Sequence, residues 1–230
     1  MLRNIPAVVV MLALLSTTVS AKTASTAASA TTTTKSASNA LPSGPHAIVL
    51  ETTQGQIVIE LNETAAPKTC ANFVKLANQG FYNGTYFHRV IGGFMIQGGD
   101  PNTKDADPTN DGMGGPGYTV PAEIGLPHVR GAVATARQGD GANPKRDSSG
   151  SQFFIDLAKL SSLDQGGYTV FGQVIQGMDA VDKIAAFAQD ASLPSANGGG
   201  RNPGKKAVIT KARVVSLASV KQAAPDSTKK

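Results

Sequence analysis

The stretch from Phe81 to Pro101, FYNGTYFHRVIGGFMIQGGDP, carries the densest set of side chains able to act on a ligand. Arg89 lies in a strand-like run, Phe94 and Met95 follow a Gly-Gly turn, and Gln97 shares a face with Met95 because successive strand residues point to opposite sides. A second run, SQFFIDL from Ser151 to Leu157, puts Gln152 and Phe154 on one face. Together they predict a shallow apolar cleft with one guanidinium and two amides at its edge.

Such a cleft suits rotation about the peptide bond that precedes a proline. Twisting that bond breaks amide conjugation and returns a lone pair to the proline nitrogen, which then accepts a hydrogen bond. A planar, permanently charged donor favours the twisted form over either planar isomer, and Arg89 is that donor. The barrier is about 18–20 kcal/mol and the uncatalysed step takes tens of seconds, so reaching milliseconds requires about 5 kcal/mol of differential stabilisation. One charge-assisted hydrogen bond, together with burial of a proline ring against Phe94, Met95 and Phe154, is of that size. No covalent intermediate, metal or cofactor is required. Taken singly, the same residues have plainer readings: Arg89 as a surface arginine, Phe94 and Phe154 as core, Gln152 as an amide that satisfies backbone groups.

Other chemistries find less support. Residues 112–117 match G-x-G-x-x-G, but PTND precedes them instead of a strand and YTVPAEI follows instead of a helix. His46, His88 and His128 each stand alone, without zinc-ligand spacing. Ser149 and Ser151 lack the G-x-S-x-G context of a serine hydrolase. Cys70, the only cysteine, cannot form an internal disulfide, and with Phe73, Val74 and Ala77 it follows the spacing of a buried helix face. The 21 Lys and Arg against 16 Asp and Glu give a formal charge of +5 with no long basic run, which argues against nucleic-acid binding. Asn62-Glu-Thr64 and Asn83-Gly-Thr85 are formal glycosylation acceptors, relevant only in a eukaryotic host.

The elements that must position these residues are mostly short strands. AIVLETTQGQIVIEL reads as a hairpin about Gln54-Gly55, with Ile57, Ile59 and Leu61 on the buried side. Thr64 is the expected cap of a helix entered at Pro67 and ended at Gly80. Strand-like runs follow at 85–91, 94–99, 130–136, 151–157, 168–174 and 206–218, with a second helix from Met178 to Phe187. This pattern is mainly β, and periodicity leaves a closed barrel and a sandwich both open.

With 230 residues and 40% apolar composition, the chain has material for one domain plus tails. MLRNIPAVVVMLALLSTTVSA has an early positive charge, an apolar run from Ala7 to Leu15 and small residues Val19 and Ala21 at the third and first places before a cut, the pattern of a signal peptide over 1–21 cleaved near Ala21. A membrane anchor is the alternative, but the run is shorter than the ~18–20 residues that span a bilayer. No stable membrane insertion is expected after cleavage. Residues 22–45 are almost wholly Ala, Ser and Thr and read as a disordered linker, the domain as 46–219, and 220–230 as a polar tail.

TAAPKTCANFVKLANQGFYNGTYFHRVIGGFMIQGGDP, followed in order by YTVPAEI, GAVATAR, GSQFFI, LD and VFGQV, resembles a cyclophilin from about His46 to Leu217. The resemblance implies a closed eight-stranded antiparallel β-barrel capped by two α-helices, with the cleft on its outer face. It also implies peptidyl-prolyl cis/trans isomerase activity, with Arg89, Gln97 and Phe94 as the catalytic set. Phe94, Met95, Phe154 and Leu163 would receive the proline ring, Gln97 would orient Arg89 and the substrate, and Ala136, Arg137 and Gln152 would line the groove for residues before proline. Two positions depart from the family pattern. Ser162 falls where many eukaryotic members carry a tryptophan that supports cyclosporin binding, so weak cyclosporin binding is expected. Tyr168 falls where many have a histidine, and it can still wall the pocket. The implied partners are proline-containing polypeptides folding after export, in a periplasm or secreted, with the protein a monomer. A module that holds proline segments without turnover is the competing reading.

Overall fold

The apolar alternation around Gln54-Gly55 forms the expected hairpin. In the computed structural model, which describes residues 43–223, β1 (His46–Thr52) pairs antiparallel with β2 (Gly55–Leu61) from Ala47↔Glu60 to Thr52↔Gly55. There follow α1 (Pro67–Asn78), β3 (Arg89–Ile91), β4 (Met95–Gly98), β5 (Ala132–Thr135), β6 (Phe153–Asp156), α2 (Ser161–Gly166), β7 (Val170–Gln176), α3 (Met178–Ala186), β8 (Ile209–Ser216) and α4 (Leu217–Ala223). The expected signal segment 1–21, residues 22–42 of the linker and residues 224–230 of the tail lie outside the described residues.

All eight strands join one antiparallel sheet in the order β3-β4-β6-β5-β7-β2-β1-β8. The sheet curls into a barrel, but its closure is less complete than expected, because the edge strands β3 and β8 share no ladder. The seam is crossed just before β3, where Gly84 N donates to Ile209 O at 2.8 Å, Ile209 N to Thr85 O at 2.8 Å and Phe87 N to Ala207 O at 3.0 Å. The physical reason is that β3 is only three residues long and its outer edge is taken by Arg201, which exchanges both backbone hydrogen bonds with Val90 at 2.9 Å. An unpaired edge would be open to pairing with another chain, and this loop covers it.

The barrel interior holds Ile48, Leu50, Ile57, Ile59, Ile96, Val133 and Ile155 around an aromatic cluster. Phe73 on α1 is its centre, with ring centroids 4.7 Å from Tyr82, 5.2 Å from Phe153 and 5.0 Å from Phe171. Cys70, Val74 and Ala77 share that helix face. The Cys70 thiol donates to Phe171 O at 3.3 Å, and burial pushes its pKa up to about 12, which makes it a core residue and not a nucleophile. α1 packs against β7 and β8, while α3 packs against β2, β3 and β4.

Three local features differ from the sequence-based expectation. The helix cap is not Thr64: Ala66 is the N-cap, and the Glu123 carboxylate arrives from elsewhere to accept from Lys68 N at 3.0 Å and Thr69 N at 2.9 Å. An anion on those free amides also meets the positive end of the helix dipole. Besides the two anticipated helices there are two short ones, α2 and α4. α4 replaces the end of the expected last strand and the start of the polar tail, because Val220 covers Ala47, Val49 and Val58 on the outer face of the hairpin.

Candidate active site

The alternation of β4 and β6 builds two surfaces at once. Ile96, Phe153 and Ile155 face the interior, so Met95, Gln97 and Phe154 face outward. The ladder then sets the spacing: Arg89 on β3 is directly opposite Gln97 on β4, and Gln97 is opposite Phe154 on β6. Cross-strand neighbours on one face lie within side-chain reach, which is why residues far apart in sequence meet here.

Phe94 enters from the turn before β4, Ala136 and Arg137 from the chain after β5, Leu163 from α2, and Tyr168 from the approach to β7. With Arg89, Met95, Gln97 and Phe154 they line a cleft of about 210 Å³. The expected site residues are therefore brought together, apart from Gln152. It is buried one step away and lines a neighbouring groove of about 720 Å³ that also touches Gln97, Ala136 and Arg137. The cleft floor is closely packed: Met95 and Phe154 are buried, and Phe154 meets the Tyr168 ring edge-on at 5.8 Å. The Arg137 guanidinium lies 4.5 Å from the centre of the Tyr168 ring and donates to Gly166 O, so it braces that wall.

A chain of hydrogen bonds crosses the polar edge. Arg89 Nη1 donates to Gln97 Oε1 at 3.3 Å, Gln97 Nε2 to Gln152 Oε1 at 3.0 Å, and Gln152 Nε2 to Gly112 O at 3.0 Å and Gly114 O at 2.8 Å. The buried Asp100 carboxylate accepts from the amides of Asn102, Gly112 and Gly114, which holds that loop in place. On its other side, Arg89 donates from Nε to Gly198 O and Gly199 O, both at 3.2 Å, and from Nη2 to Gly198 O at 2.7 Å. Of the five N–H groups of a guanidinium, these contacts engage three and leave two for a ligand in the cleft. Burial lowers the pKa of Arg89 from its ordinary value, and a guanidinium keeps its charge through such a shift.

Sequence reasoning did not identify the Gly198-Gly199 contact, the Asp100 support or a buried pair behind the cleft. That pair is His128 and Asp156, both fully buried, with Nδ1 and Oδ2 2.8 Å apart. The His128 ring stacks on Phe154 at 5.8 Å, so the pair backs the apolar floor. Burial raises the pKa of Asp156 while the hydrogen bond to His128 opposes the rise. In sequence His128 stands alone and Asp156 falls in a strand-like run, so only the fold brings the two together.

An apolar cleft with two uncommitted N–H groups at its rim can seat a pyrrolidine ring and hydrogen-bond a nitrogen that becomes basic as its peptide bond twists. Comparison with known proteins agrees with this chemistry. The cyclophilin type peptidyl-prolyl cis-trans isomerase/CLD family model matches residues 47–214. Peptidyl-prolyl cis-trans isomerase A of Dickeya dadantii is 38% identical over 172 residues, covering 73% of this chain and 84% of its own. Peptidyl-prolyl cis-trans isomerase-like 1 of Mus musculus is 46% identical over 144 residues, covering 61% of this chain and 80% of its own. A crystal structure of a Cryptosporidium parvum cyclophilin type peptidyl-prolyl cis-trans isomerase is similar with a TM-score of 0.61 and 31% identity, covering 75% of this chain and 99% of that one. The family match, the fold and the cleft coincide on the same residues, and the chain belongs to the cyclophilin-type peptidyl-prolyl cis-trans isomerases.

Proposed function

We propose that this isomerase acts on X-Pro bonds of polypeptides folding outside the cytoplasm, with Arg89 donating to the proline nitrogen in the twisted state. The observation that carries the reading is the pair of uncommitted Arg89 N–H groups beside the cleft of about 210 Å³. In this reading Phe94, Met95, Phe154 and Leu163 receive the proline ring, Tyr168 walls it, and Gln97 holds the guanidinium in line. Ala136, Arg137 and Gln152 line the path of the residues before proline. In either planar isomer the nitrogen lone pair is delocalised and accepts nothing, so the Arg89 hydrogen bond forms only as the bond twists. An interaction made in the transition state alone lowers the barrier without trapping the substrate.

Support for a polypeptide substrate comes from a second Cryptosporidium parvum cyclophilin structure, described in the presence of the dipeptide Ala-Pro, with a TM-score of 0.59 and 31% identity. Support for work after export comes from the leader pattern of residues 1–21, with cleavage near Ala21. Slow X-Pro isomerisation limits the folding of many chains, which gives an exported isomerase its task. We take the mature form to be a periplasmic or secreted monomer with weak affinity for cyclosporin. The test is a refolding assay on a protein whose slow phase is an X-Pro isomerisation, paired with mass analysis of the form recovered from an exporting host. Acceleration of the slow phase by a chain that begins near Lys22 supports the proposal. An unaccelerated slow phase, or a mature form that retains residues 1–21, contradicts it.

A further inference from the structure

The hydrogen bonds around Arg89 close on themselves. From Arg89 they run through Gln97 and Gln152 to Gly112 and Gly114. Beside Gly112, the Asp111 carbonyl accepts from Asn197 Nδ2 at 2.7 Å, and the same amide reaches Thr109 O at 3.0 Å. The next two residues along the chain, Gly198 and Gly199, return to Arg89 through their carbonyls. Two loops, residues 100–117 and 190–203, thus hold the two ends of one relay, and Asn197 ties them together.

The backbone of the second loop is shaped for this contact. Gly198, Gly199 and Gly200 all have positive φ, at +78°, +89° and +86°, a region that other residues enter only with strain. A Cβ at Gly198 would stand 3.3 Å from Arg89 Nε, and one at Gly200 would stand 2.5 Å from Val90 O. The Arg201–Val90 backbone pair fixes where the loop meets β3, next to Arg89. Asn202 adds a second tie, donating from Nδ2 to the buried Asp111 carboxylate at 2.6 Å, where Tyr86 Oη donates at 2.7 Å.

We propose that Asn197, Gly198 and Gly199 are a positioning element for the isomerisation: the two glycine carbonyls aim the Arg89 guanidinium, and the Asn197 side chain fixes those carbonyls. The element rests on Arg89 being the donor to the proline nitrogen. Carbonyls on Nε and one edge of Nη2 oppose the Gln97 oxygen on Nη1, so the guanidinium plane is held from two sides. Among the described residues, these are the hydrogen bonds that restrain the Arg89 side chain. Aim matters because the hydrogen bond is made only in the twisted state, so misalignment lowers kcat and leaves KM in place.

The experiment compares Asn197→Ala and Gly198→Ala with Arg89→Ala and with Ser192→Ala, a control in the same loop whose hydroxyl donates to Asp190 and, among the described residues, reaches no part of the relay. Exchange kinetics on an Ala-Pro-Phe peptide give kcat and KM, and the Arg89 Nε–H resonance reports the guanidinium directly. We expect kcat to fall about tenfold in Gly198→Ala and severalfold in Asn197→Ala, with KM unchanged and Ser192→Ala at the wild-type value. In wild type the Nε–H should exchange slowly with solvent and couple to the Gly198 or Gly199 carbonyl carbon, and both properties should be lost in the two loop variants. Wild-type kcat in a folded Asn197→Ala variant overturns the proposal, as does a fall in kcat with the Nε–H signal unchanged. Full activity in Arg89→Ala would instead overturn the assignment of Arg89 itself.

Discussion

The Gln97 amide is turned so that its oxygen faces Arg89 at 3.3 Å and its nitrogen faces Gln152 Oε1 at 3.0 Å. Gln152 in turn spends its own nitrogen on Gly112 O and Gly114 O, which fixes the direction of the whole relay. Only this orientation gives Arg89 Nη1 an acceptor on Gln97, and it depends on a loop that begins at Asp100.

Removing the relay at its centre should therefore damage catalysis more than folding. Gln97→Ala is expected to lower kcat about tenfold with little change in KM, the size of one aligned hydrogen bond. Because Gln97 is half-buried, its stability should change by no more than about 1 kcal/mol. Peptide exchange kinetics and a urea titration on the same preparation check both numbers, and an unchanged kcat would leave the relay without a catalytic part.

Phe94 and Phe154 line the same cleft but differ in what they support. Phe94 is half-buried in a turn, whereas Phe154 is buried against Met95 and His128. Phe94→Ala should raise KM for a proline peptide while stability falls by about 1 kcal/mol or less. Phe154→Ala should cost about 3–5 kcal/mol of stability as well as activity, because it opens a cavity beneath the cleft. Equal losses of stability in both variants would contradict this division.

The buried Asp156 carboxyl gives folding a pH dependence. Asp156 has a folded pKa raised above its ordinary value of 3.8 by burial. The protonated carboxyl then favours the folded state fully below 3.8, and that contribution is lost as pH rises through the raised value. Asp156→Asn has no such proton to lose. Urea midpoints measured from about pH 3 to pH 7 should fall for the wild type relative to Asp156→Asn as pH rises, whereas parallel curves would contradict it.

Ser162 is exposed on α2 beside Leu163 of the cleft, and its small polar side chain offers a cyclic peptide little apolar surface. Half-inhibition by cyclosporin is expected only above about one micromolar, and Ser162→Trp should lower that concentration by about tenfold or more. Submicromolar inhibition of the wild type would contradict the expectation.

Sequence alone exposes the parts of this fold that depend on local periodicity. The alternation of Ile57, Ile59 and Leu61 marks a strand, the spacing of Cys70, Phe73, Val74 and Ala77 marks a helix face, and the motif order brings Arg89, Phe94, Gln97 and Phe154 to one cleft. What it conceals depends on contacts between distant segments. Glu123 caps α1 from the segment between β4 and β5, Arg201 covers the edge of β3, and Asp156 meets His128 on the outer face of β6. Nothing local marks the triple glycine at 198–200, because only its placement against Val90 brings its carbonyls to Arg89.

The most direct measurement is the cis/trans exchange rate of an Ala-Pro-Phe peptide with a chain that begins near Lys22, its Arg89→Ala variant and its Arg89→Lys variant. Arg89→Ala should lose about a hundredfold or more of the wild-type acceleration, the size of a charge-assisted hydrogen bond made only in the transition state. Arg89→Lys should recover only a small part, because a point charge cannot accept the same two-sided hold from Gln97 and the glycine carbonyls. Acceleration in Arg89→Ala within a fewfold of wild type, with the variant folded, would contradict the central role of Arg89.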